Sequence, residues 1–319
     1  MRAIVTRSSR REEALIPLEK TAARSRGGIT DLPIWLPLIV LAALAFRLRT
    51  LLPAWGFMWV MAAAIFLGCK WLTWWQCKIA AIEPWRNFAY LLLWPGLDAA
   101  AFLGTSKPRD SITRTITRMS WLAAFGKMLF GAVLLWGIVR TLPASSPLLA
   151  GWCGLLGLIF LLHFGAFHLL ALAWQHAGVD ARPLMRAPIL STSLGEFWGK
   201  RWNLAFSHLA FGVAFRPVLR RLGAAWATIV VFLVSGLVHE LVISVPAGGG
   251  YGLPTLYFLL QAAGILIERS VVGRKLGLRR GFAGWSFTAV FTAGPVFWLF
   301  HPPFIHHVIL PFFKAIHAM

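Results

Sequence analysis

Long apolar runs, separated by short polar segments, dominate the chain from residue 33 onward. A membrane-spanning helix needs about 20 predominantly apolar residues, or fewer where flanking cations reach the interface. Eight runs are of this kind, and they lie at 33–46, 51–69, 120–140, 148–176, 223–246, 252–268, 283–300 and 303–316. The pattern predicts an all-α, polytopic membrane helix bundle with about eight spans.

A further apolar stretch, 88–105, is interrupted by Pro95, Gly96 and Asp98. Broken backbone at membrane depth is tolerated only where protein or a water-filled cavity covers it. We therefore expect re-entrant or interfacial helices in this stretch rather than a complete span.

The composition agrees with a membrane protein. Of the 319 residues, 58% are apolar and 13% are charged, whereas about a quarter of a soluble domain is charged. The 17 Trp and 24 Phe residues suit lipid-facing surfaces and interfacial aromatic belts. The net charge of +20 is not gathered on a polar domain, so anionic lipid is the expected partner and nucleic acid is not.

The distribution of Lys and Arg predicts the orientation. With the N-terminal tail inside, the cytoplasmic segments carry seven cations in 1–30, four in 107–118, seven in 182–221 and five in 269–280. The outer side receives only Arg47, Arg49 and Arg140. This asymmetry predicts that both termini are cytoplasmic, in the cell membrane of a bacterium or the endoplasmic reticulum of a eukaryote.

The tail at 1–30 ends in no small-residue cleavage site, so we expect a retained and disordered cytoplasmic segment rather than a signal peptide. A single membrane domain at 31–319 would follow it.

Aromatic residues recur in the longest cytoplasmic segment, 177–222. On a continuous helix, Trp198, Trp202 and Phe206 would share one side, opposite Glu196, Lys200, Asn203 and Ser207. This pattern predicts an amphipathic helix at the membrane surface. A simple interfacial anchor explains the aromatic stripe, but it does not explain Asn203, whose amide needs a partner where the chain becomes apolar.

The sequence S-G-L-V-H-E at 235–240 lies deep within a predicted span. Ionisable residues at such depth usually face a protein interior or a wet cavity. Ser235 precedes His239 by one turn, so its hydroxyl could hold one imidazole nitrogen, and Gly236 would let a substrate or another helix approach. Glu240 points about 100° away from His239, so the two would not share a target. His239 is either a base, since histidine accepts protons near neutral pH, or a structural histidine.

The remaining histidines are weaker candidates. His163 and His168 form H-x4-H, and the later histidines form H-x4-HH at His301, His306 and His307, spacings similar to those of membrane di-iron desaturases. Residues i and i+5 diverge by about 140° on a helix, so we expect no metal site. His301, next to two prolines, is expected to mark a span end near the lipid headgroups. The three cysteines form no C-x-x-C pair, which disfavours a disulfide framework or structural zinc.

Taken together, E-F-W-G-K-R-W-N at 196–203 and S-G-L-V-H-E at 235–240 resemble the paired motifs of the wax-synthase-like branch of the membrane-bound O-acyltransferases. W-P-G-L-D at 94–98 and G-P-V-F-W at 294–298 are similar to early and late segments of that family. The resemblance covers about residues 85–315, and the basic N-terminal tail has no counterpart in it.

The resemblance implies a helix bundle around a tunnel that acyl-CoA enters from the cytosol and a lipophilic alcohol enters from the membrane. His239 matches the family's catalytic histidine and Asn203 its second active-site residue, with supporting positions at Ser235, Glu240, Trp198 and Trp202. Cations at the cytoplasmic mouth would bind the CoA phosphates. The candidates, which the positive-inside rule also explains, are Lys200, Arg201, Arg216, Arg220 and Arg221. No metal or bound cofactor is implied.

The sequence therefore predicts an acyl-CoA-dependent O-acyltransferase that makes a hydrophobic ester such as a wax ester. His239 would be the general base in a water-poor tunnel, and Asn203 would hydrogen-bond the hydroxyl or the oxyanion. Two alternatives stay open. One is a membrane di-iron oxidoreductase, and the other is a proton-coupled transporter in which His239 and Glu240 form a relay, although the chain has no visible inverted repeat.

Overall fold

The computed structural model describes residues 32–77, 79, 82–104 and 117–319. The basic tail predicted at 1–30 lies outside these residues, as does nearly all of the predicted inner segment 107–118. Helices and connecting turns make up the described residues, which contain no strand. The predicted all-α class is confirmed.

The described helices are numbered here in chain order. They are α1 (Leu32–Arg47), α2 (Ala54–Gln76), α3 (Pro84–Leu93), α4 (Ala99–Leu103), α5 (Arg118–Thr141), α6 (Pro147–His176), α7 (194–201), α8 (Leu204–Ala247), α9 (Leu253–Arg269), α10 (Val271–Lys275), α11 (Gly281–Leu299) and α12 (302–315). Several contain π-helical turns, and α8 is broken at Gly223, which has φ 84° and ψ 174°.

Six of the described helices are long and apolar enough to cross a membrane, and the chain is a polytopic membrane protein. These six are Pro33–Thr50, Ala54–Gln76, Arg118–Thr141, Pro147–His176, Leu204–Ala247 and Gly281–Leu299. The other two predicted spans correspond to α9, with 17 residues, and to α12. At 1.5 Å per residue, α9 is about 25 Å long and α12 is shorter, against a hydrocarbon core of about 30 Å. The predicted count of eight spans is therefore not confirmed.

Over its described residues, 88–104, the interrupted stretch forms parts of two short helices separated by extended backbone, which confirms the break. The re-entrant or interfacial placement stays a prediction. Asp98 caps α4, because its Oδ1 accepts a hydrogen bond from the Ala101 N–H at 3.0 Å. The buried Lys70 on α2 donates from Nζ to the Gly96 carbonyl at 2.5 Å, and the same Nζ lies 3.5 Å from the ring centre of Tyr90. Protein groups thus satisfy the backbone where the helix is broken, as a low-dielectric setting requires.

The buried apolar residues form two clusters. One joins α5, α6, α8, α9 and α12, with members that include Phe232, Phe258 and Phe313. The other joins α1 to α4 with the segment before α7 and the start of α8, and its members include Tyr90 and Ala205. Helix α9 packs against the part of α8 between Arg216 and Ser244. They carry the groups that define the candidate site.

Candidate functional site

Helix α7 is eight residues long and ends abruptly before Asn203. It begins as an α-helix at Leu194–Glu196 and continues as a π-helical turn at Phe197–Arg201, which the Trp202 N–H closes by donating to the Phe197 carbonyl at 2.8 Å. Asn203 then adopts a left-handed conformation with φ 43°, which asparagine tolerates better than most residues.

The prediction that Trp198, Trp202 and Phe206 share one side of a single helix is wrong. The chain turns between Trp202 and Leu204, because the Leu204 N–H donates to the Leu184 carbonyl at 2.9 Å rather than to a carbonyl of α7. Phe206 consequently belongs to α8. The turn that separates the two helices is the turn that carries Asn203.

The two predicted tryptophans have different surroundings. Trp198 points toward α8 and α9, where its ring lies 5.7 Å from Phe232 and 5.6 Å from Phe258. Its Nε1–H donates to Gln261 Oε1 at 3.3 Å. Trp202, which directly follows α7, instead stacks on Phe197 of that helix, with the ring centres 5.5 Å apart and an interplanar angle of 12°. Of these two tryptophans, Trp198 is the one whose ring contacts connect α7 to α8 and α9.

Arg201 holds the end of α7 in place. Its Nε donates to Glu196 Oε1 at 2.7 Å, and its Nη1 donates to the carbonyls of Arg186 and Ala187. Burial by itself would raise the pKa of Glu196, but hydrogen bonds from Thr192 and the Arg201 guanidinium outweigh it, and the pKa is lowered. Nε and Nη1 of Arg201 are thus engaged within the protein, which weighs against its predicted role as a phosphate ligand. The other candidates differ in exposure: Lys200, Arg220 and Arg221 are exposed, and Arg216 is half-buried.

His239 is half-buried on α8 with one ring nitrogen occupied. Its Nδ1 lies 2.7 Å from the backbone carbonyl oxygen of Ser235. The Ser235 hydroxyl donates to the Val231 carbonyl at 2.9 Å. The prediction that this hydroxyl holds the imidazole is therefore wrong, because it serves its own helix and the carbonyl takes its place. A carbonyl only accepts, so the neutral ring must carry its proton on Nδ1.

Within the described part of the chain, His239 Nε2 forms no hydrogen bond, and the ring lies 4.4 Å from that of Phe258. An unprotonated Nε2 with a free lone pair is what a general base requires. Phe258 contacts both His239 and Trp198, so it connects the two predicted motifs.

Glu240 faces the beginning of α9. Its Oε1 accepts from the N–H groups of Gly252 and Thr255 and from the Thr255 hydroxyl. A Cβ at Gly236 would lie 2.7 Å from Thr255 Cα, so the predicted close approach of another helix at Gly236 is confirmed. Glu240 supports helix packing through these bonds, and this weighs against a role as half of a proton relay.

The side chain of Asn203 is half-buried, and its amide forms no hydrogen bond to the residues that the structure describes. Next to it in sequence, Leu204 and Ala205 line a recess of about 350 Å³, a volume that includes its open mouth. Polar side chains in this recess come from distant parts of the chain, and they are Asp98, Asp180, Arg182 and His208. The predicted tunnel stays a prediction.

The other histidines do not form a metal site among the described residues, where no three His, Cys, Asp or Glu side chains cluster. His301 was expected near lipid headgroups, but it is fully buried and caps α12 by accepting the Phe304 N–H at 3.2 Å. The di-iron alternative thus gains no support from the described ranges.

Helix α9 supplies contacts that the sequence analysis missed. Thr255, Phe258 and Gln261 follow one another at helical spacing, and they contact Glu240, His239 and Trp198 respectively. Gln261 is fully buried and also donates to the Phe291 carbonyl at 2.7 Å. A glutamine within an apolar helix is a signal that could have identified this face, because polar side chains in membrane helices usually face protein.

Comparisons with known proteins support the resemblance. Residues 181–260 match the model of the membrane bound O-acyl transferase family. A long-chain-alcohol O-fatty-acyltransferase from Simmondsia chinensis is 34% identical over 143 residues, which cover 41% of this chain and 40% of the relative. A probable long-chain-alcohol O-fatty-acyltransferase 6 from Arabidopsis thaliana is 28% identical over 201 residues, covering 60% of this chain and 58% of the relative.

A third relative, probable long-chain-alcohol O-fatty-acyltransferase 7 from Arabidopsis thaliana, is 31% identical over 41% of this chain and 42% of its own length. The chain thus aligns with about two fifths to three fifths of the length of these curated relatives. The similarity to the wax-synthase-like branch of the membrane-bound O-acyltransferases is confirmed, and the matched family segment contains both Asn203 and His239.

Proposed function

We propose that this chain, whose residues 181–260 match the membrane bound O-acyl transferase family, transfers an acyl group from acyl-CoA to a hydrophobic alcohol. Its relatives are named for the acylation of long-chain alcohols. The observation that carries the proposal is the state of His239, whose Nδ1 bonds the Ser235 carbonyl while Nε2 has no hydrogen-bond partner among the described residues.

The reaction follows from that tautomer. A hydroxyl is a poor nucleophile at neutral pH, so His239 Nε2 takes its proton while the alcohol oxygen attacks the thioester carbon. The tetrahedral intermediate collapses, the carbon–sulfur bond breaks, and the CoA sulfur leaves with the proton that the imidazolium returns. The Ser235 carbonyl stabilises the imidazolium by continuing to accept from Nδ1. The proposed reaction requires no metal and no bound cofactor.

Asn203 is the proposed hydrogen-bonding partner of the alcohol or of the developing oxyanion. Its amide is uncommitted among the described residues, and an amide can donate without titrating. Trp198, Phe232 and Phe258 form an apolar wall beside His239. Such a wall would limit water and thereby limit hydrolysis of the thioester.

The CoA phosphates need cations at the membrane surface. With Arg201 engaged by Glu196 and two carbonyls, the remaining proposed ligands are Lys200, Arg216, Arg220 and Arg221. Their place on the cytoplasmic side is part of the proposal, and it rests on the positive-inside distribution.

A radiolabelled acyl-CoA assay with purified protein in detergent tests the proposal against a panel of long-chain alcohols, sterols and diacylglycerol. We expect His239→Ala to lower kcat by about 100-fold to 10,000-fold, since a general base contributes that much. Asn203→Ala should lower it by about 100-fold to 1,000-fold if the amide binds an oxyanion. The exposed His306 offers a matched control, because His306→Ala removes an imidazole outside the site.

Near-full ester synthesis by His239→Ala would overturn the mechanism. Loss of activity in His306→Ala, together with bound iron in the purified protein, would instead favour the di-iron alternative. Ester formation in detergent without any ion gradient separates acyl transfer from transport.

A further inference from the structure

Helix α7 is too short to be stable by itself, yet it carries Trp198 and leads directly into Asn203. Isolated helices of fewer than about 12 residues are marginal in water even with good helix formers. Its π-helical second half lacks the regular hydrogen-bonding pattern as well. The position of α7 must therefore come from contacts with other parts of the chain.

The N-terminal end of α7 is held by a buried carboxylate from a distant helix. Glu268 on α9 is fully buried. Its Oε2 accepts from the Leu194 N–H at 2.7 Å, and its Oε1 accepts from the Gly195 N–H at 3.0 Å. The next N–H, that of Glu196, donates to Ser193 Oγ. Glu268 thus satisfies two of the N–H groups that every helix leaves free at its start.

The Glu268 carboxylate lies in close contact with the first turn of α7. A Cβ at Gly195 would lie 3.0 Å from Glu268 Oε1. A carboxylate at a helix N-terminus is also favoured by the helix dipole. Both effects place the first turn of α7 directly against α9.

Glu268 shares one face of α9 with the residues that contact the other half of the site. Phe258, Gln261 and Glu268 lie at i, i+3 and i+10, within about 80° of one another on an α-helix. Phe258 contacts His239, Gln261 holds the Trp198 indole, and Glu268 holds the start of α7. Contacts from a single face of α9 therefore fix the position of α7 relative to His239.

We propose that Glu268 is a positioning residue for acyl transfer: by anchoring the start of α7 to α9, it sets where the Asn203 amide lies relative to His239. The inference rests on the proposed function for its catalytic consequence, although the anchoring itself does not. Glu268 touches no reacting atom in this account and acts only through α7.

Two substitutions test the anchor. Glu268→Gln replaces one acceptor oxygen with an NH2 group that would face a backbone N–H, so one of the two bonds is lost. Glu268→Asp keeps the charge and both acceptor oxygens, but its side chain is shorter by one methylene, so the oxygens lie farther from the Leu194 and Gly195 N–H groups. Ile309→Ala on α12 is the control, because Ile309 is 2% exposed and its truncation lowers stability while leaving the hydrogen bonds between Glu268 and α7 in place.

Hydrogen–deuterium exchange measured by mass spectrometry gives a readout that is independent of activity. In Glu268→Gln, exchange in peptides covering 192–203 should rise at least about tenfold, with little change in α2 and α6. If Ile309→Ala lowers Tm by as much as Glu268→Gln does, it should still show no comparable rise in exchange at 192–203. Glu268→Asp should lie between wild type and Glu268→Gln, and it replaces Glu268→Gln if that variant does not fold.

Ester synthesis gives the second readout. Because misplacing a reacting group by about 1 Å can cost about 100-fold in rate, kcat of Glu268→Gln should fall tenfold to 100-fold and exceed the fall in Ile309→Ala. Exchange at 192–203 that matches wild type, or a loss of kcat equal to that of the control, would overturn the inference. If wild type makes no ester, the proposed function fails, whereas the exchange data still decide whether Glu268 anchors α7.

Discussion

Glu240 acts as a helix cap for α9, and replacing it with alanine should reveal how much stability that cap provides. Its Oε1 accepts three hydrogen bonds, from Gly252 N–H at 3.0 Å, Thr255 N–H at 3.1 Å and Thr255 Oγ1 at 2.8 Å. Its Oε2 is buried without a hydrogen-bond partner in the part of the chain that the structure describes. All of these bonds therefore pass through one oxygen.

The structure gives the expected magnitudes. A protein hydrogen bond contributes about 1 kcal/mol net, so Glu240→Ala should lower the free energy of unfolding by about 3 kcal/mol, or about 6 °C in Tm. Glu240→Gln keeps an oxygen at the Oε1 position and places its NH2 at the Oε2 position, which has no hydrogen-bond partner among the described residues, so it should lose less than half as much. Thr255→Val removes only the hydroxyl donor at constant shape, and it should cost about 1 kcal/mol.

Thermal unfolding in detergent, followed by tryptophan fluorescence, ranks these variants, and ester synthesis is measured on the same preparations. Ser235→Ala is the control, because that hydroxyl bonds only within its own helix. Equal stability of Glu240→Ala and wild type would refute the capping role. If Glu240→Gln kept its Tm but lost activity, ester synthesis would depend on the ionisable carboxyl of Glu240, as a proton relay requires.

Three further outcomes are expected. A Cβ at Gly236 would lie 2.7 Å from Thr255 Cα, so Gly236→Ala should push α9 from α8, cost about 1–3 kcal/mol and lower ester synthesis; unchanged Tm and activity would contradict the close packing. Lys70 Nζ lies over the Tyr90 ring, 3.5 Å from its centre, so the two side chains contact each other directly. Tyr90→Leu should therefore lower Tm more in wild type than in Lys70→Met, and equal losses would show that the pair is not coupled. Burial alone would raise the pKa of Glu196, but hydrogen bonds from Thr192 and the Arg201 guanidinium lower it. The stability that the ionised Glu196 contributes is therefore fully present above its ordinary pKa of 4.5, and it is lost as the pH falls through the lowered pKa. After correction for the intrinsic pH dependence of amide exchange, the protection of the α7 amides should fall on that acidification, and Glu196→Gln should abolish this fall.

Much of the fold follows from the lengths of the apolar runs. The predicted runs at 120–140 and 148–176 differ from α5 and α6 by no more than two residues at any end, because burying apolar side chains and pairing the backbone are local requirements of a membrane helix. The run at 252–268 also forms a helix, but at 17 residues its length does not decide whether it crosses the bilayer. The break at 94–98 was predictable as well, since proline and glycine interrupt a helix wherever they fall.

The site was only partly predictable. The motif at 235–240 identified His239 as a candidate, and its resemblance to a family paired it with Asn203. The sequence pattern did not reveal the turn at Asn203, because that turn depends on the Leu204 N–H reaching the Leu184 carbonyl. Helical periodicity describes a segment as if it were alone, and it extended α7 through the turn.

The role of α9 was decided by tertiary structure. Phe258, Gln261 and Glu268 contact His239, Trp198 and the start of α7 across 19 to 74 positions of sequence. Local sequence determines which segments become helices, because hydrophobicity and backbone pairing act within a segment. Which polar groups meet depends on how those helices pack, and a buried carboxylate or amide is stable only where a distant segment supplies its hydrogen-bonding partner.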